Sequence, residues 1–399
     1  MRKIILSLST LLLLTSIGFA QNTPDVTSWI RNTTGQTGYG GILSNVQAVQ
    51  YDTTYTYVSC TCIPGYSIGP WIGNPNVPAN QNFVFQIPRH PVQNNNTATT
   101  VGLGHIGVWS NGVSIFNVSD AMSYNNQGIW NRNAFFWEGP GFDACLGHPQ
   151  QQGEYHHHVS PNCLYDQTDS THHSPIIGYA FDGFPVYGAY AFTNTNGTGP
   201  IKRMKSSYIL STNTTRVNGP AVDTTYPEGS FIEDFSYQSG FGDLDARNGR
   251  FSVTPDYPNG IYAYFVTIDD SLRPIFPYTF YGSYYGVVAT GDIGPGSGHV
   301  TITDSTTIYT SVPEINRHIK FELYPNPAKD YAYIYFDPMS SNNIKGTLYD
   351  AKGQLLKTIN NMQPSISYSL DLSKYRAGIY FLHLQTDKET VVQKIVRIK

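Results

Sequence analysis

Short strand-like runs, each soon broken by a Gly or Pro cluster, constrain this chain more than any other feature. Residues 54–58 and 82–87 are such runs, and 176–181 and 261–267 read as buried strands. Amphipathic helices need longer periodic windows, and only a short stretch near 120–124 offers one. The side chains agree with a strand-and-turn architecture. Tyr (30) and Phe (20) favour strands, while Gly (37) and Pro (25) favour turns. The expected fold class is therefore mostly β, with long loops.

Charged residues make up 13% of the chain, about half the usual ~25%. The net charge of −4 and the absence of any basic run argue against nucleic-acid binding. No Gly-x-Ser-x-Gly, P-loop, dinucleotide fingerprint or His-Glu-x-x-His is present.

The N-terminus reads as a signal peptide over residues 1–20. Arg2 and Lys3 precede an apolar run, and Gly18-Phe19-Ala20 is a small-x-small cleavage site. The run is shorter than the ~20 residues of a membrane span, and no later stretch is long enough, so no transmembrane segment is expected in the mature protein. Export permits disulfides. Cys145 and Cys163 bracket a histidine-rich segment and are the favoured pair, while Cys60 and Cys62 are left open as a local disulfide or a soft-metal pair.

Six histidines fall between His148 and His173. Gly153 and Ser160-Pro161 bound an extended segment that includes Tyr155-His156-His157-His158. On a strand, His156 and His158 share a face, roughly 6.6 Å apart along the backbone, and Tyr155 and His157 take the other. Two imidazoles so placed can meet one metal. Further ligands must come from His148, His173, Asp182 or the Cys60/Cys62 pair. Downstream, the strand 176–181 delivers Asp182 into an Asp-Gly turn, as a backbone cap, a partner of a histidine or a general base.

Two resemblances organise the chain. Leu323-Tyr324-Pro325-Asn326-Pro327, Leu348-Tyr349-Asp350, Ala377-Gly378-Ile379-Tyr380-Phe381 and the final Lys394 to Lys399 resemble the type A sorting domain of type IX secretion cargo, over about 320–399. Alternating short strands there, with a turn at Asp350 to Gly353, predict a small Ig-like β-sandwich. The resemblance implies handling by the type IX secretion machinery, then release or attachment at the outer-membrane surface.

Gly147-His148-Pro149, Tyr155 to His158, Pro161-Asn162-Cys163-Leu164, His173-Ser174-Pro175 and Asp182-Gly183-Phe184-Pro185 resemble the YHYH domain, over about 45–290. Here His157 stands where that motif has Tyr. The resemblance names a domain and no reaction. The expected division is 1–20 signal peptide, 21–290 YHYH domain, 291–317 Gly/Ser/Thr-rich linker and 318–399 sorting domain.

The expected function is a secreted or surface metal-binding protein. His148, His156, His158 and His173 are the candidate ligands for zinc or copper, and Asp182 and Tyr155 the candidate catalytic groups of a metal-dependent hydrolase. The alternatives are non-catalytic metal capture or delivery, and glycan binding or adhesion with structural histidines.

Overall fold

The computed structural model describes residues 23–310, 321–336, 344–363, 367–386 and 390–398. The signal peptide and residues 311–317 of the linker lie outside them. The chain divides at Thr310 into two compact units. Among the described residues no helix is long and apolar enough to cross a membrane.

The site-bearing strands of the first unit are, in chain order, β1 (Val46–Tyr51), β2 (Tyr55–Cys60), β3 (Phe83–Pro88), β4 (His105–Trp109), β5 (Ser114–Phe116), β6 (Ser119–Ser123), β7 (Asn131–Asn133), β8 (His148–Pro149), β9 (Tyr155–His157), β10 (Ile176–Ala180) and β11 (Pro185–Tyr187). One sheet runs β1-β2-β3, with Thr307–Ile308 added outside β1. An eight-stranded sheet runs Gly249–Ser252, Ile261–Phe265, β11, β10, β4, β5, β9, β8. Residues of both sheets enter one core, Val58 and Phe85 from the first with Val108, Ile115 and Tyr179 from the second. β3 alternates buried Phe83, Phe85 and Ile87 with half-buried neighbours, as a strand with one covered face should. β4 and β10 are buried throughout and show no alternation.

Two sequence expectations need correction. The helix expected near 120–124 is instead β6, which pairs with β7. The Asp120 carboxylate accepts the Met122 amide at 2.7 Å, a local bond that competes with helical pairing. A four-residue helix forms nearby at Ala134–Trp137, where the Asn133 side chain caps the Phe135 amide at 3.2 Å.

The stretch read as a linker belongs, over 291–310, to the first unit. Val300 N–H bonds Val84 O at 3.1 Å, Val84 N–H bonds Gly298 O at 2.8 Å, and Thr307–Ile308 pairs with β1. These are main-chain bonds, so few apolar side chains are needed to hold the segment.

Asp292 in this segment is fully buried, with the Gln86 amide on Oδ2 at 3.0 Å and no partner for Oδ1. Burial pushes its carboxyl up to about 8, against the opposing Gln86 bond. A raised folded value means the fold keeps a proton that the unfolded chain has released. Stability from this group is complete below about pH 4 and is lost as pH rises towards 8, at about 1.4 kcal/mol per pH unit. Asp292→Asn is therefore expected to gain on the wild type between pH 5 and 8 in urea unfolding. A constant difference across that range contradicts the assignment.

Among the described residues, the second unit has seven strands in two sheets. Phe321–Tyr324, Tyr331–Phe336 and Tyr368–Asp371 form one; Leu355–Met362, Ile344–Asp350, Gly378–Gln385 and Thr390–Arg397 form the other. Ala332, Ile334, Leu348, Leu370, Leu382 and Ile395 build the core between them. Tyr331–Phe336 alternates exposed and buried residues along its length. At the Asp350 to Gly353 turn, Gly353 takes φ +82°, a conformation that costs glycine least. The unit is the small β-sandwich expected from its alternating strands.

Candidate metal centre

The centre is built on the outer edge of the eight-stranded sheet. β8 and β9 form a hairpin in which His148 faces His156 and Pro149 faces Tyr155. Directly opposed residues on one face bring their side chains together, and the two imidazole centroids are 4.5 Å apart. Gly153 in the connection takes φ +80°, and a Cβ there would come within 2.8 Å of Ala79 Cβ and Val77 O. On the other side of β9, β5 runs parallel with Ser114 opposite His156. Phe116 then stacks on the His156 ring at 3.8 Å.

The two-residue period holds through the motif. His156 and His158 converge, with Nε2 atoms 3.1 Å apart. Tyr155 and His157 take the opposite face. There Tyr155 Oη donates to Asp143 at 3.0 Å and lies 3.4 Å from His157 Nε2. One ring nitrogen from each of His148, His156 and His158 falls within 4.8 Å of the others. Ligands on a tetrahedral metal with bonds of 2.0–2.1 Å sit about 3.4 Å apart, so the set closes with small movements.

Protonation makes the arrangement informative. His156 Nδ1 lies 3.1 Å from Glu154 O, and His158 Nδ1 lies 2.5 Å from Asn117 O. A carbonyl only accepts, so each Nδ1 carries a hydrogen, and Nε2 of either ring is a lone pair whenever that ring is neutral. Those lone pairs face each other. Glu138 Oε2, a further acceptor, is 3.0 Å from His158 Nε2 and 3.6 Å from His148 Nε2. His148 Nε2 is shut off from solvent without a hydrogen-bond partner.

Burial, reinforced by neighbouring imidazoles, holds His148 down to about 4 and His156 well below its ordinary value. Burial alone would raise Glu138, but the His158 bond and the His158, His148 and Arg132 charges outweigh it and leave the carboxyl below its usual range. Protonation of His148 and His156 is disfavoured near neutral pH, and with His158 Nε2 unprotonated as well four acceptors converge. Such a set suits a cation. The Nδ1–carbonyl bonds are the outer contacts that orient metal-binding imidazoles.

The three histidines, Glu138, Asp120 and Trp137 line an open cavity of about 700 Å³. Asp120 is buried, with Arg132 Nη1 at 3.9 Å. Burial, opposed by the Met122 amide and aided by Glu138, pushes it up to about 6. Phe142 flanks His148 and His158, and a disulfide joins Cys145 to Cys163 around the segment.

The other sequence candidates lie elsewhere. His173 Nδ1 is 2.8 Å from Ser174 O, and its ring packs on Tyr187, Phe192 and Phe265. Asp182 is fully buried, accepting from Tyr264 Oη at 2.6 Å and the Gly286 and Phe184 amides. It caps its own turn and braces the core. Tyr155 faces away from the cluster and has no exposure. Cys60 and Cys62 are buried thiols, Cys62 Sγ bonding Tyr155 O at 3.1 Å. None of these residues lines the histidine cavity. Glu138 and Asp120 do, and the sequence reading missed both. A single acid between Trp137 and Gly139-Pro140-Gly141 was the available signal for Glu138.

Family comparison agrees with this anatomy. A model described as YHYH protein matches residues 84–282, and one described as secretion system C-terminal sorting domain matches 322–399. No curated protein matches. Among solved structures, the chain is similar to dimeric latent PorU from Porphyromonas gingivalis, with 22% identity over 20% of this chain and a TM-score of 0.17. The match spans 9% of that PorU chain, and a likeness of this level carries no argument. The sorting domain indicates secretion by the type IX route, a route that often ends in attachment to the cell surface. The hairpin that carries the histidines lies within the first match, and the second covers the sandwich from Glu322 onward: this is a YHYH-domain protein with a C-terminal type IX secretion sorting domain.

Proposed function

We propose that the YHYH unit is a secreted metal-binding domain, with His148, His156 and His158 as imidazole ligands and Glu138 as the adjoining carboxylate. The supporting observation is the convergence of ring nitrogens from His148, His156 and His158, with Nδ1 of His156 and of His158 each held by a backbone carbonyl. Imidazole donors suit zinc and copper. The competing occupant is a proton on His158, held by Glu138 at 3.0 Å.

Three imidazoles facing an open cavity match a metal site with a free coordination position, which favours metal-dependent hydrolysis over capture. A divalent metal supplies Lewis acidity there. Asp120 is the carboxylate placed to take a proton, the role the sequence suggested for Asp182. A group near 6 suits general-base work close to neutral pH. Phe116 stacks on His156 and holds its plane.

Capture differs in requiring Glu138 to close the site as a fourth ligand. In Glu138→Gln, zinc affinity is expected to fall about 10-fold by competition titration, the scale of lost support for a ligand set. Unchanged affinity removes Glu138 from the centre. Metal-dependent turnover of an uncharged ester panel supports hydrolysis; full metal loading without turnover supports capture.

A further inference from the structure

A second cavity, of about 470 Å³, adjoins the one that holds the histidines. The two share Leu103, Ser119, Asp120 and Ala121 as lining, so an extended ligand that fills both crosses Asp120. Among the described residues neither cavity is lined by Lys or Arg, and Asp120 and Glu138 are the acidic groups present. Away from the histidines, where a bound metal would add positive charge, the lining holds Asp120 and no basic side chain, which disfavours phosphate esters, nucleic acid and uronic-acid chains. Rings stand at both ends, Phe116 and Trp137 in the first cavity and Tyr281 in the second. His156 covers one face of Phe116 and Arg132 one face of Trp137, so each of these two rings can offer a ligand only its other face or its edge.

A peptide fits less well. Extended peptides bind by adding to a free strand edge; the edge strands lining these cavities are the two-residue β8 and β6, in which Asp120 O already accepts from Ser119 Oγ and the Met122 amide already donates to Asp120 Oδ1. Pro149 has no N–H to give. Its carbonyl already accepts from Asn74 Nδ2 at 2.9 Å.

We infer that the paired cavities form a groove for an uncharged polysaccharide chain, laid across Asp120 with one end over the three histidines. The placement over the histidines rests on the metal reading; the groove itself does not. The apolar faces of successive sugar rings pack on the aromatic side chains, and the length of the groove selects a chain over a single sugar.

The test titrates the full secreted chain calorimetrically with the disaccharides and hexasaccharides of cellulose, mannan and xylan, with a galacturonic-acid hexasaccharide, and with an uncharged hexapeptide. Zinc content is measured on the same samples. At least one neutral hexasaccharide is expected to bind at least 10-fold more tightly than its disaccharide, and the charged chain and the peptide are not expected to bind. Leu103→Arg, at a residue 44% exposed that lines both cavities, should weaken hexasaccharide binding at least 10-fold with zinc content unchanged. Met122→Arg, exposed in the second cavity alone, should weaken hexasaccharide binding and spare that of the disaccharide.

Failure of all three neutral chains to bind overturns the groove. So does equal binding of the acidic chain, binding of the peptide instead, or indifference to both substitutions. Hexasaccharide binding by a chain that holds no zinc when supplied with it overturns the metal reading and leaves the groove standing.

Discussion

In His156→Ala, zinc is expected to stabilise the protein by no more than about 0.4 kcal/mol, whereas the wild type gains about 2.7 kcal/mol at zinc concentrations 100 times its dissociation constant. His156 is the most constrained of the three proposed ligands. Its strand pairs with His148 on one side and Ser114 on the other, its Nδ1 is held by Glu154 O, and its ring lies on Phe116. A ring so fixed loses little freedom on binding, so its removal costs most of the site's affinity, at least 100-fold. His157→Asn and His173→Ala are the contrasting variants. Both rings lie outside the cluster, so both proteins lose some stability and keep the full zinc effect. Differential scanning fluorimetry across a zinc titration separates the three variants. Equal zinc stabilisation in His156→Ala and wild type contradicts the assignment.

The Cys145→Ser/Cys163→Ser double variant has the second large effect. The bond spans 18 residues, and closing a loop of that length is worth about 3 kcal/mol in the chain-entropy account. The enclosed segment carries all three histidines and their hairpin, so the loss falls on the site as well as on the fold. The variant is expected to unfold at a lower urea concentration and to bind zinc at least 10-fold more weakly, because binding must then order the hairpin. Mild reduction of the wild type should reproduce both changes. Unchanged unfolding together with unchanged zinc affinity contradicts this role for the disulfide.

Local periodicity was legible in the sequence, and pairing was not. Alternation in Tyr155 to His158 places His156 and His158 on one face and removes Tyr155 and His157 from it, and the structure has that arrangement. The small sandwich was likewise readable from alternating strands around the Asp350 to Gly353 turn. His148 was distinguishable from His173 only through the register of the β8–β9 hairpin, because both lie near the motif in sequence. Asp182 was readable as a turn former, and its place in the core follows from Tyr264, a residue 82 positions away.

Glu138 and Asp120 were hidden for a different reason. Each is a lone acid that meets its side-chain partners, Arg132 for Asp120 and His148 and His158 for Glu138, only through the fold, so no spacing rule marks it. Residues 291–310 were hidden because main-chain bonds hold them to the sheet, and such bonds leave little trace in side-chain composition.

The central claim is that the lone pairs of His148, His156 and His158 meet on a metal. Elemental analysis with X-ray absorption of the purified secreted chain tests it most directly. The expected result is one equivalent of zinc or copper bound by about three imidazole nitrogens at about 2.0–2.1 Å, and absent from a His156→Ala/His158→Ala protein that remains folded. A wild-type chain that holds no metal after exposure to both ions, or a double variant that keeps the full equivalent, contradicts it.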